Sequence, residues 1–251
     1  MPFDLSVFLV ASSGVLLIAF MKGAFGGGFA IIGIPLLSLV LDPLQAGVLL
    51  VPLFLVMDLF AFRYWRPGTW SVPDVWRLIP ASLVGIGVGY FLLLGIDARW
   101  VKIVMALITL LFLAQWMAGG GKITTQPRST AKGVVCGFVA GVTSMIAHSG
   151  GPPLAMYLLP LGLAKTMYAS TTSLFFTVGN VVKIGPWIGL AAPTRETWIL
   201  MAMMVPVCPL GVMAGWALHQ RLDQTRMMRW CYGLLAVTAA KLLWDGVRGL
   251  L

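Results

Sequence analysis

The chain has 251 residues, 59% of them hydrophobic and only 10% charged, with a mean hydropathy of +0.95. A soluble domain carries about 25% charged residues, so a soluble globular fold is excluded and a multi-pass membrane protein is indicated. Lys and Arg outnumber Asp and Glu by 17 to 8, a net charge of +9. That excess reads as the cation bias of cytoplasmic loops or as a potential that draws in an anionic substrate, and no basic run interleaved with aromatics points to nucleic acid.

Strand-like alternation is absent, which argues against a β-barrel. Apolar segments fall at about 5–24, 29–41, 44–63, 74–96 and 99–118. A second series follows at about 132–147, 152–163, 166–190, 196–218 and 225–248. The start, Met1-Pro2-Phe3-Asp4, lacks the basic n-region of a cleaved signal, so the first segment is expected in the mature protein. Between the two series lies a polar stretch with Gly119-Gly120-Gly121, Lys122, Pro127 and Arg128. The domain reading is therefore a first membrane repeat, 1–118, a cytoplasmic linker, 119–131, and a second membrane repeat, 132–251.

The two series share a pattern. Gly27-Gly28 match Gly150-Gly151, and Ala24 matches Ala147, at a constant offset of 123. Further on, Pro80, Gly85 and Gly89 match Pro206, Gly211 and Gly215 at an offset of 126. The second segment of each series is short, roughly 20 Å and 18 Å at 1.5 Å per residue. Each then pairs with its predecessor as a re-entrant hairpin turning at the glycines; the alternative is that all ten segments cross, some strongly tilted.

Loop charge sets the expected orientation. Arg63, Arg66 and Arg77 flank one basic loop, the linker is basic, and Arg221, Arg226 and Arg229 form a third. Placing all three in the cytoplasm puts both termini outside. Each repeat then crosses an odd number of times, so the two are inverted. The expected fold is an all-α membrane protein of two inverted repeats, each with a Gly-broken short or re-entrant helix pair and about three full spans.

Repeats with broken hydrophobic segments point to a transporter whose site lies at the breaks. A helix start presents unpaired N–H groups to an anion, and glycine lets backbone approach a ligand. Candidates for substrate contact are Gly26, Gly27 and Gly28 in the first repeat and Ser149, Gly150 and Gly151 in the second. Pro152-Pro153 suit the first turn of a helix. The glycines at 85, 89, 211 and 215 read instead as close helix packing.

Lys22 lies in an apolar run, where a cation is functional or paired, unless the segment ends early and the side chain snorkels. His148 adjoins the second break and is a candidate donor or proton carrier. Asp58 is a candidate ion or proton site, or a partner of Arg63. Asn180 falls at a nearly equivalent position in the second repeat, at an offset of 122, and Lys183 follows one turn later; Asp58, His148 and Lys183 are the coupling candidates. In the hydroxyl run Ser170-Thr171-Thr172-Ser173, Thr171 and Thr172 are ligand candidates, or back-bond to helix carbonyls.

No ATP-binding loop and no catalytic or metal motif occurs. His219 is read as lying in a cytoplasmic loop, far from His148. Cys136, Cys208 and Cys231 have no redox or metal spacing and are read as small packing residues. No cofactor, metal or catalytic residue is expected.

Taken together, several stretches resemble the TauE/SafE family of sulfite and organosulfonate exporters. They are Lys22-Gly23-Ala24-Phe25-Gly26-Gly27-Gly28 with Ile34-Pro35 and Ala46, then Gly137-Phe138-Val139-Ala140-Gly141. Ser149-Gly150-Gly151-Pro152-Pro153 and Ala169-Ser170-Thr171, leading to Asn180, complete the pattern. His148 departs from it, standing where a small or apolar residue is expected. The resemblance implies export of a small sulfur-containing anion, sulfite or an organosulfonate, across the cytoplasmic (inner) membrane. The alternatives are an anion channel or an intramembrane enzyme acting on a lipid or a sulfur compound. The expected partners are that anion and the lipid bilayer; a homo-oligomer is compatible with the sequence.

Overall fold

The computed structural model describes residues 5–30, 37, 40–41, 43–66, 68–95, 98–118, 125–190 and 192–248. The N-terminal residues 1–4, most of the short segment 29–41 and the glycine-rich part of the linker, 119–124, lie outside these residues.

All regular structure among the described residues is helical. The helices are α1 (Leu5–Phe25), α2 (Pro43–Ala61), α3 (Val72–Leu93), α4 (Ala98–Ala118) and α5 (Thr130–Ala147). Then come α6 (Gly151–Leu158), α7 (Lys165–Leu190), α8 (Arg195–Met204), α9 (Val207–Arg221) and α10 (Gln224–Arg248). Apart from 29–41, most of which lies outside the described residues, the apolar segments coincide with these helices to within a few residues. One segment differs: 196–218 is divided into α8 and α9 at Val205 and Pro206. Proline donates no hydrogen bond and crowds the preceding turn.

Among the described residues, five stretches are long and apolar enough to cross a membrane: α1, α3, α5, α7 and the α8–α9 pair. Large apolar side chains such as Leu9, Leu16, Phe91, Leu111 and Leu210 are exposed on the outside, as expected where lipid replaces water. Helix α6, by contrast, has eight residues, about 12 Å of rise, too short to cross ~30 Å of hydrocarbon. In α10 the charges Arg226, Arg229, Lys241, Asp245 and Arg248 interrupt the apolar character.

Glycine seams assemble the bundle. Helix α1 runs along α9, and α3 along α5. A Cβ on Gly211 would meet Ala19, and one on Gly215 would run into the Phe20 carbonyl. In the other pair, a Cβ on Gly85 would strike the Phe138 carbonyl, and one on Gly141 the Ser82 carbonyl. Numbers rise together along both seams, so each pair is parallel. Contacts this close require small residues, which is why the matching GxxxG motifs at 85–89 and 211–215 sit here.

Two further pairs are antiparallel. Gly47 at the start of α2 lies under Trp187 near the end of α7, while Asp58, late in α2, bonds Asn180, earlier in α7. In α4 and α10, Trp116 stacks on Tyr232 at 4.2 Å, and Met105 and Ala106 cluster with Leu242.

The three basic loops gather at one end. Ser170 donates to the Thr69 carbonyl at 2.8 Å, and the Ser71 N–H donates to the Thr171 hydroxyl at 2.9 Å. The loop after α2 is thereby fastened to the start of α7. Asp74, fully buried, is a hub there: it accepts from Tyr157 at 2.8 Å and pairs with Arg77 at 3.5 Å and Arg128 at 3.3 Å. Gln224, beside the third basic loop, bonds Lys165 N and the Leu163 carbonyl. His219 is not in a loop: it is buried in the last turn of α9, where Nδ1 meets the Ala24 carbonyl at 2.9 Å. Packing against Trp65 and Trp216 draws it inward.

Candidate functional site

Both glycine breaks end a helix. Helix α1 stops at Phe25 because Gly26 and Gly27 take φ of +76° and +95°, a region closed to most side chains. Their N–H groups donate back to the Lys22 and Met21 carbonyls at 3.0 and 3.3 Å, satisfying carbonyls that a helix end leaves unpaired. Helix α5 stops in the same manner at His148, itself left-handed at φ +50°, and the Ser149 N–H returns to the Thr143 carbonyl. Gly150 then caps α6, which opens on Gly151-Pro152-Pro153. Thus the second break is a loop followed by a helix start, as expected. After the first break the described residues end at Ala30, whose N–H donates to the Gly27 carbonyl at 3.1 Å, and the glycines follow the end of α1.

The two breaks touch. A Cβ on Gly151 would run into the carbonyl oxygen of Gly28. Beside this contact lies a small cavity open on one side. Lys22, Gly27, Gly28, His148, Gly151, Asn180 and Lys183 line it, together with Ser144, Phe54, Phe176 and Ala30. The structure therefore brings residues from α1, α2, α5, α7 and both breaks to one place.

Charge in this cavity is unevenly paired. Lys22 and Asp58 are 2% and 1% exposed and form an ion pair. Lys22 does not snorkel; it also donates to the Phe54 carbonyl at 3.0 Å. Asp58 binds no arginine: its second oxygen accepts from the Asn180 amide at 2.9 Å. Lys183, 2% exposed, donates to the Ser144 hydroxyl at 2.9 Å and has no bonded carboxylate. The Phe54 ring lies 5.3 Å from the Lys22 nitrogen and 5.9 Å from that of Lys183, cation–π distances. His148 stacks on Trp187 at 4.8 Å, and neither ring nitrogen has a hydrogen-bond partner.

Other candidates stand aside from the cavity. Gly26 packs on the Ala169 carbonyl, and Gly150 on the Ala140 carbonyl. Ser149 bonds back to Thr143, Thr171 holds the Ser71 N–H, and Thr172 packs against Gly26 and Gly28. Sequence reasoning missed Ser144, Phe54 and Phe176. Ser144 and Phe176 stand one helical turn before His148 and Asn180, the spacing that shares a face, and that was the available signal.

Chemically, the site offers ammonium groups, an amide, a hydroxyl and an imidazole, with the one bonded carboxylate already committed. This suits binding of a small anion. Among the described residues, no three His, Cys, Asp or Glu side chains are grouped to hold a metal ion, and Cys136, Cys208 and Cys231 are free thiols.

In comparison with known proteins, residues 11–242 match the family described as Sulfite exporter TauE/SafE. No curated protein and no solved structure matches the chain.

Proposed function

Since this multi-pass membrane protein belongs to the sulfite exporter TauE/SafE family, we propose that it is a secondary transporter exporting a small sulfur-containing anion, sulfite or an organosulfonate. The anion binds in the cavity beside Gly28 and Gly151. The observation that carries this reading is Lys183, a buried amine on the cavity wall that, among the described residues, bonds a neutral hydroxyl and no carboxylate. A buried charge is costly until paired, and a substrate anion supplies the missing partner. Asn180, Ser144 and His148 offer it further hydrogen bonds.

Alternating access follows from two inverted repeats, 1–118 and 132–251, rocking about this site. The reciprocal seams support that arrangement, because the first helix of each repeat packs on the GxxxG helix of the other. So does the antiparallel contact of the matching helices α2 and α7. Helix α6, too short to cross, supports a re-entrant hairpin in the second repeat. Gathering of the basic loops at one end supports an inner-membrane orientation with both termini outside. Asp58, His148 and Lys183 are the groups that would couple transport to an ion.

The test is transport in proteoliposomes. Wild-type protein is expected to show saturable sulfite counterflow, which a channel does not give. Lys183→Gln is expected to abolish it while the protein stays folded. Undiminished counterflow by Lys183→Gln would overturn this reading.

A further inference from the structure

The buried charges around the cavity do not cancel. Lys22 and Lys183, when protonated, supply two ammonium groups, and Asp58 is the only carboxylate among the described residues bonded to either. Asp58 has no oxygen to spare, since Oδ1 pairs with Lys22 and Oδ2 accepts from Asn180 at 2.9 Å. Lys22 is anchored in turn by the Phe54 carbonyl. With both lysines protonated, this fixed group of three carries one net positive charge, in a place where uncompensated charge is expensive.

We propose that Asp58 is a specificity-determining residue: by cancelling one of the two ammonium charges, it tunes the cavity to anions carrying a single negative charge and discriminates against dianions. The inference rests on the reading of this cavity as the anion site. Asp58 need not touch the substrate, because it acts through its field, which is little screened in a buried site. A monoanion on Lys183 brings the cavity to neutrality. A dianion leaves one surplus negative charge beside the Asp58 carboxylate, where like charges repel. The inventory of charges, rather than the shape of the pocket, then separates tetrahedral anions of similar size.

The experiment measures binding of methanesulfonate, a monoanion, and sulfate, a dianion, to the purified full-length protein by calorimetry and thermal shift. Wild type is expected to bind methanesulfonate more tightly. Asp58→Asn raises the net charge by one and is expected to move the affinity ratio toward sulfate by about tenfold or more, since a charge a few ångströms away shifts a neighbouring ionisation by one to three pK units. The double variant Lys22→Gln/Asp58→Asn returns the sum to its original value and is expected to restore the preference for methanesulfonate, even if both affinities fall. Sulfate bound at least as tightly as methanesulfonate by wild type overturns the proposal, as does an unchanged ratio in Asp58→Asn. Should Asp58→Asn fail to fold, the double variant is compared with Lys22→Gln alone, whose sum is zero. The double variant is expected to bind methanesulfonate more tightly than that single one, and the reverse order overturns the proposal. Absence of binding of either probe, or binding indifferent to Lys183→Gln, instead overturns the assignment of the anion site.

Discussion

Asp58 of α2 accepts a 2.9 Å hydrogen bond from Asn180 of α7, and these two residues, 122 apart, stand at nearly equivalent places in the sequence pattern of the two halves. Gly28 and Gly151, another matching pair, also meet. In the proposed inverted-repeat arrangement, such contacts between equivalent residues would fall close to the axis relating the halves, and the cavity lies beside them.

The contact at the breaks leaves no room for a side chain. Gly151→Ala places a methyl against the Gly28 carbonyl, a backbone atom that cannot swing away. We expect a loss of about 1–3 kcal/mol from overpacking, read as a lower melting temperature in detergent, and loss of transport. Gly233→Ala, inside α10, is the matched control, because nothing lies within 4 Å of its added methyl. It is expected to melt at or above the wild-type temperature, since alanine is favoured over glycine inside a helix by about 1 kcal/mol.

Breaking the Lys22–Asp58 pair should cost more than removing it. Lys22→Met or Asp58→Asn alone leaves the other charge buried and without its partner, expected to destabilise by about 3–5 kcal/mol. The double variant orphans no charge and should recover a large part of that loss. A double-mutant cycle on denaturation midpoints measures the coupling. Simple additivity of the two single effects would show that the pair is not energetically linked.

The Asp74 hub gives a graded series. Tyr157→Phe removes one bond of 2.8 Å and leaves the carboxylate with Ser71, Arg77 and Arg128. We expect a cost of about 1 kcal/mol. Asp74→Ala also releases the arginines and unties α3 from α6 and the linker. Its expected cost is about 3 kcal/mol or more, with faster proteolysis near Arg128. Equal effects of the two substitutions would mean that the arginine contacts contribute nothing.

Orientation is tested at the linker. Arg128 is 46% exposed at the basic end of the bundle. A cysteine at this position is expected to resist a membrane-impermeant maleimide in intact cells and to react after permeabilisation. Labelling of intact cells would invert the assigned topology.

Helix positions were legible in the sequence because their causes are local. Apolar runs bounded by glycine, proline and charge reproduce the described helices closely except for the division of 196–218 into α8 and α9, and the GxxxG motifs sit on the seams where small residues were expected. Lys22, His148, Asn180 and Lys183 were legible as candidates because each is a polar group in an apolar run, where lipid tolerates none without a partner. Phe54 was not, because nothing in its own surroundings marks it, and Ser144 was marked only by standing one turn before His148.

Which of these residues meet was decided only by packing. Arg63 is five residues from Asp58 and seemed a natural partner in sequence, yet Lys22 of α1 takes that place. The hydroxyls of Ser170 and Thr171 turn to the backbone of Thr69 and Ser71, about 100 residues away, and hold a loop in place. Composition and local pattern determine that a segment leaves water and where its helix ends, since desolvation and backbone geometry act residue by residue. The pairing of buried charges depends on the register of one helix against another, and the glycine seams set that register only once the two halves are brought together.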